Sequence, residues 1–106
     1  MDLAVTFAAL GDPVRRAIVD RLADGDATVN EVAALFPISL QAVSKHIAVL
    51  EAAGVVTKGR AGKTRPVHLE LDAIATSAEW LERHRRRLER TYARLDELLE
   101  TTKEPT

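Results

Sequence analysis

Gln41, Ser44 and Lys45 carry hydrogen-bonding groups at i, i+3 and i+4, the spacing that gathers side chains on one side of a helix. A glutamine amide can pair twice with the edge of adenine. A serine hydroxyl can donate or accept, and a lysine ammonium can reach guanine or phosphate. A second set follows in the segment GRAGKTR, where Arg60, Lys63 and Arg65 alternate with glycines and small residues, a composition suited to following a phosphate backbone. This is the chemistry of gripping a duplex. Beside these residues, Ser39 reads as a helix cap that can also touch phosphate, and Leu40 as a boundary residue that meets a thymine methyl or packs. His46 falls about 60° from the apolar centre of the helix, so a boundary role and a phosphate contact are both open to it.

Bond-breaking chemistry is excluded by inventory. The chain has no cysteine, which removes disulfides, thiolate metal sites, iron–sulfur clusters and thiol catalysis together. It has no Gly-rich phosphate loop opening a helix, no histidine-metal motif and no Ser/His/Asp arrangement in a recognisable context. The three histidines, His46, His68 and His84, would need to converge with further ligands to hold a metal, so no metal and no cofactor is expected. His68, on the polar side of a strand, is expected to be exposed. A net charge of −1 conceals a segregation along the chain. Residues 38–68 hold five bases against one acid, whereas residues 17–36 hold one base against four acids. The positive field is local to the stretch with the donors.

The elements that must position these groups can be read in order. The 106 residues suit one domain, residues 1–100, small enough that a second chain would help bury its core. Leu3, Phe7 and Leu10 place a short amphipathic helix over residues 2–10, closed by Gly11. Asp12–Pro13 starts a second helix that runs to about Ala23 with Val14, Ile18 and Leu22 inward and Gly25 beyond its end. Thr28 to Glu31 forms a capping box for a third helix, whose apolar side is Val32, Leu35 and Phe36 and which Pro37 stops. After a turn of about three residues, Ser39 caps the fourth helix, residues 39–53, with Val43, Ile47 and Leu50 on its core face and Gly54 ending it. Residues 55–58 and 67–71 then read as two strands of a β-hairpin wing joined by the basic loop.

From Asp72 to about residue 100 the chain reads as one long helix, started at Asp72 or at the Thr76–Glu79 box, with residues 101–106 a frayed tail. Ile74, Ala78, Leu81, Arg85, Leu88, Tyr92, Leu95 and Leu99 are spaced alternately by four and three, a seam interrupted only by Arg85. So long a stripe exceeds what a small domain can cover, which implies a dimerisation helix. The expected interface takes Leu81, Leu88, Tyr92 and Leu95 from this helix and Leu3 and Phe7 from the first. Arg83, Arg85, Arg86, Arg87, Arg90 and Arg94 alternate with Glu79, Glu82 and Glu89 at helical spacing and read as a solvated, ion-paired face. Trp80 and Tyr92 read as packing or interface residues. The fold class is therefore mainly α with a small β-hairpin, a winged helix-turn-helix with a long C-terminal helix.

The phrases LGDPVRRAIVDRLADG, TVNEVAALFPISLQAVSKHIAVLEAAGVV and GRAGKTRPVHLEL resemble, in order and spacing, the ArsR-type (arsenic-repressor-like) winged helix-turn-helix transcription regulators. The resemblance covers residues 3–99, and its most specific part is Val43 to Ile47 followed by Leu50 to Gly54. It implies a homodimer on palindromic operator DNA, usually acting as a repressor. Family members often sense metals through cysteines near the third helix or through histidine and carboxylate groups on the last. Here the third helix holds Glu31 to Leu35 without a thiol and the last helix offers only His84, so the chain looks like members without a metal site. Two other readings remain: a metal- or small-ligand-responsive derepressor using histidine and carboxylate ligands, and a winged helix used only for protein interaction.

Double-stranded operator DNA and a second copy of the chain are thus the expected partners, with no membrane and no effector named by the sequence. The start, MDLAVTFAALGD, lacks the basic region of a signal peptide, and a cytoplasmic location is expected.

Overall fold

A computed structural model describes residues 2–60 and 62–103. Five helices and three short strands follow in the order α1 (Leu3–Ala9), α2 (Pro13–Ala23), β1 (Ala27–Thr28), α3 (Val29–Ala33), α4 (Leu40–Ala52), β2 (Val56–Lys58), β3 (Pro66–Leu69) and α5 (Leu71–Lys103). The expected architecture, mainly α with a small sheet and a long last helix, is what the chain adopts. The described residues up to Ala75 and those from Thr76 onward form two compact units, and α5 contributes to both.

Local chemistry sets the starts of the first four helices. Asp2 Oδ1 accepts from the amide of Ala4, and Asp12 Oδ2 accepts from that of Arg15 at 3.0 Å, with Pro13 in the first turn where its missing N–H costs nothing. At α3 the full capping box forms: Thr28 Oγ1 accepts from Glu31 N and Glu31 Oε1 accepts from Thr28 N, each at 3.2 Å. Those bonds to the ionised carboxylate, from the Thr28 amide above all, hold Glu31 below its ordinary pKa. Ser39 Oγ accepts from Ala42 N at 3.1 Å and starts α4.

The core of the first unit is built from Ile18 and Leu22 of α2, Val32 of α3, Val43, Ile47 and Leu50 of α4, and Val55, Val56, Val67 and Leu69 around the sheet. Ile74, from the first turn of α5, packs against the same cluster. The sheet is antiparallel in the order β1-β3-β2, with Val56 opposite Leu69 and Ala27 opposite Val67. Along β3, Val67 and Leu69 point inward and His68 outward, the alternation expected of a half-buried strand.

Several expectations are corrected. The wing is not a two-stranded hairpin standing alone, because Ala27 and Thr28, too short a run to show periodicity, pair with β3 as a third strand. In α1 the buried residues are Thr6 and Ala9, while Leu3, Phe7 and Leu10 are only half-buried. Thr6 is accommodated because its hydroxyl donates to Asp2 O at 3.1 Å. Helix α3 ends at Ala33 rather than near Phe36. Pro37 disfavours helical geometry before it, so the chain tightens into turns in which Leu35 N bonds Val32 O and Phe36 N bonds Ala33 O. This rotates Leu35 out to 57% exposure and leaves Phe36 to pack.

The second wing strand stops at Leu69. The Glu70 amide donates to Val55 O at 2.8 Å, and Leu71, expected in the strand, opens α5 and is exposed. The Thr76–Glu79 box is therefore interior to the helix. At the other end α5 reaches Lys103, so Thr101 to Lys103, expected in a frayed tail, are helical; the Thr101 and Thr102 hydroxyls donate back to Glu97 O and Leu98 O. Glu104 to Thr106, the rest of that tail, lie outside the described residues.

In the second unit, Leu81, Leu88, Tyr92, Leu95 and Leu99 are each 48% to 58% exposed and follow one another along α5. Arg85, the interruption in that seam, donates to Glu82 and to Glu89, and Arg86 donates to Glu82 at 3.2 Å. The Arg85 hydrogen bond, with help from Arg86, pulls the Glu82 carboxyl down to about 2. The ion-paired face expected of the arginine run is present at these residues. Trp80 and His84 stack within the same helix, with ring centroids 4.0 Å apart.

Candidate nucleic-acid interface

Helix α4 is divided sharply into two faces. Val43, Ile47 and Leu50 have no accessible surface, and Gln41, Lys45 and Ala48 on the other side are exposed. Burying three large aliphatic side chains stabilises the fold by about 2 kcal/mol each, which holds the helix rigidly against α2 and α3 while its outer face stays available. At its C-terminus the helix closes in a full Schellman arrangement: Val55 N donates to Leu50 O at 2.9 Å, Gly54 N donates to Glu51 O at 3.0 Å, and Gly54 has φ of +76°. The buried Val55 and Leu50 supply the accompanying apolar contact. The chain is thereby turned directly from α4 into β2.

Each residue expected at a duplex can be placed. Ser39 is the N-cap and remains exposed, Leu40 is 46% exposed rather than at a core boundary, and Ser44 is half-buried beside the exposed Gln41 and Lys45. His46 is half-buried, its Nδ1 3.5 Å from Arg15 Nη1 and 3.8 Å from Asp12 Oδ2. It therefore lies beside protein groups of α2 and its N-cap.

In the wing, Gly59 N donates to Pro66 O at 2.9 Å and Gly62 takes φ of +64°, a conformation a glycine adopts without strain. Arg60, Lys63 and Arg65 are exposed; Ala61 lies outside the described residues. Lys63 and Arg65 line a depression of about 340 Å³ with Thr28, Val29 and Asn30, so the wing loop approaches the start of α3 as well as continuing from α4. Pairing of β1 with β3 creates that approach, which no sequence periodicity announces.

Two polar groups of the first unit were not foreseen as partners. His68, expected to be simply exposed, places Nδ1 2.7 Å from Asp26 Oδ1 and ties β3 to the α2–β1 turn. The hydrogen bond to Asp26 raises the His68 pKa above its ordinary value, with the Asp26 charge adding to it. Arg15 reaches from α2 to the carbonyls of Ala8 and Ala9 and to His46. An i,i+31 contact of this kind has no local signature. Among the described residues, no cluster of three or more histidine, aspartate or glutamate side chains is placed to hold a metal ion.

A braced helix with an exposed polar face, a tight turn before it and a basic β-wing after it define a winged helix-turn-helix DNA-binding module. A helix-turn-helix domain family model matches residues 10–58. Over 89 residues the chain is 41% identical to the HTH-type transcriptional regulator Rv2034 of Mycobacterium tuberculosis, covering 84% of this chain and 83% of that protein. It is 35% identical over 75 residues to the transcriptional repressor SdpR of Bacillus subtilis, covering 71% and 83%. Among solved structures, an ArsR-like transcriptional regulator from Rhodococcus sp. RHA1 superposes with a TM-score of 0.79 at 30% identity, covering 91% of each chain. The homodimeric winged helix-turn-helix DNA-binding domain of a possible ArsR-family regulator from Mycobacterium bovis superposes at 0.65 with 25% identity, covering 74% of this chain and 73% of that one. The chain belongs to the ArsR-type family of winged helix-turn-helix transcriptional regulators. It is a DNA-binding regulator and not an enzyme.

Proposed function

We propose that the protein acts as a homodimeric repressor on a pseudo-palindromic operator. Gln41, Ser44 and Lys45 read base edges in the major groove, with Ser39 and Leu40 at the groove wall, while Arg60, Lys63 and Arg65 hold the backbone beside it. The observation that carries this reading is the division of α4: one face is fully buried and the other offers donors separated only by small residues. The exposed apolar seam of α5 supports self-association through Leu81, Leu88, Tyr92 and Leu95, and the half-buried Leu3 and Phe7 of α1 are assigned to the same interface. The homodimeric state printed for the Mycobacterium bovis domain and the repressor activity named for the Bacillus subtilis relative favour the same assignment. Among the described residues no helix is long and apolar enough to cross a membrane, and a regulator of transcription works in the cytoplasm with its DNA.

In a two-fold dimer the two copies of α4 enter successive major grooves about 34 Å apart, so the operator half-sites are spaced about one helical turn. Footprinting on DNA upstream of the protein's own coding region tests this, with a symmetric protected site as the expected result. With about three to four phosphate contacts per protomer, affinity falls with salt on a log–log slope of roughly −5 to −7. Arg60→Ala with Lys63→Ala weakens operator and random DNA alike and flattens that slope by about two per protomer. A wild-type affinity insensitive to salt would contradict duplex binding and favour an interaction module.

A further inference from the structure

We infer that His46 is a positioning residue, whose ring ties α4 to the α1–α2 corner through Arg15 and Asp12 and sets the rotation at which Gln41, Ser44 and Lys45 are presented. The inference rests on α4 being the helix that contacts DNA. Three elements converge on this one ring. Arg15, in the first turn of α2, donates from Nε to Ala9 O and from Nη2 to Ala8 O at 3.2 Å, tying α2 to the last turn of α1. Its remaining arm, Nη1, lies 3.5 Å from His46 Nδ1. Asp12, which caps α2 by accepting from the Arg15 amide at 3.0 Å, places the same carboxylate oxygen 3.8 Å from His46 Nδ1.

Nδ1 faces a guanidinium, which only donates, and a carboxylate, which only accepts, so it accepts from Arg15 when it carries a lone pair and donates towards Asp12 when it carries the proton. The geometry also explains why such a tie is useful. Val43, Ile47 and Leu50 hold α4 in the core and oppose large rotations about its axis, which would expose them, while small ones are absorbed by side-chain adjustment. A hydrogen bond on the shoulder of the helix is directional, and it resists that rotation. Lys45 is the next residue along, so a small rotation of α4 moves the reading face directly. His46 thus acts on DNA recognition through the fold, with both partners of its Nδ1 on the protein side.

The test uses the footprinted operator duplex and a random duplex of equal length at one salt concentration, with binding followed by anisotropy and folding by thermal melts. His46→Leu keeps bulk and removes the acceptor, His46→Gln keeps an acceptor, and Arg15→Gln removes the guanidinium. His46→Leu and Arg15→Gln should each lower operator affinity about 5- to 30-fold. Affinity for random DNA and the salt slope should stay as in the wild type. The double variant should be no weaker than either single one, and His46→Gln should stay within about twofold of wild type. Additive losses would overturn the inference, as would a silent Arg15→Gln beside a flattened salt slope in His46→Leu, the mark of a direct phosphate contact. If Arg15→Gln fails to fold, the two His46 variants decide: rescue by glutamine supports the tie and equal loss overturns it. Wild-type protein without operator preference would overturn the DNA-contact reading itself, and this inference with it, whereas preference without rescue overturns the inference alone.

Discussion

Helices α4 and the C-terminal part of α5 both carry an apolar stripe, and the two stripes meet different fates. In α4 the stripe is consumed: Val43, Ile47 and Leu50 lose all accessible surface inside the first unit. In α5 Leu81, Leu88, Tyr92 and Leu95 remain about half exposed. A stripe satisfied within the chain fixes a helix and frees its opposite face for another molecule, while an unsatisfied stripe is itself the contact surface. The contrast favours the different partners proposed for the two helices, DNA for α4 and a second copy for α5.

The contrast can be broken at either helix. Ile47→Ala leaves a cavity at the centre of the first unit and should cost about 2 to 5 kcal/mol, measured by urea denaturation. A cost below about 1 kcal/mol would mean that α4 is not braced as described. Leu88→Asp puts a charge in the exposed seam and should convert dimers into folded monomers in sedimentation, with the melt of the isolated first unit's core little changed. Dimers that persist would move self-association to another surface.

A smaller effect sharpens the account at the wing. Because Asp26 raises the His68 pKa, the pair contributes stability that is fully present below the ordinary histidine pKa and is lost as pH rises through the raised one. Asp26→Asn should therefore flatten the slight rise in melting temperature on going from about pH 8 to about pH 6, without touching α4. An unchanged pH profile would show that the contact leaves the wing's stability unaffected.

How far the sequence discloses this arrangement follows from the range of each interaction. Caps act over three residues, so Asp12, Thr28 with Glu31, Ser39 and Gly54 announce their helix ends, and the 3.6-residue period announces the buried face of α4. Pairing over long separations leaves no such trace. The two-residue strand β1 is defined only by Val67 and Pro66 across the sheet, Asp26 finds His68 forty-two residues away, and Arg15 finds His46 thirty-one residues away. Leu35 shows the intermediate case, an apolar residue at the right helical spacing that turns outward because Pro37 ends the helix early. The basic wing and the polar face of α4 are visible as composition, but the approach of Lys63 and Arg65 to the start of α3 depends on how β3 is held between β1 and β2.

Under the proposed function the open face of α4 selects the operator, a selection read out by binding of Gln41→Ala/Lys45→Ala to operator and random duplexes. Each base contact discriminates by about 1 to 3 kcal/mol, so the double variant should lose nearly all preference for operator while random-DNA binding and the melting temperature stay close to wild type. A double variant that still prefers its operator as strongly as the wild type would contradict the account.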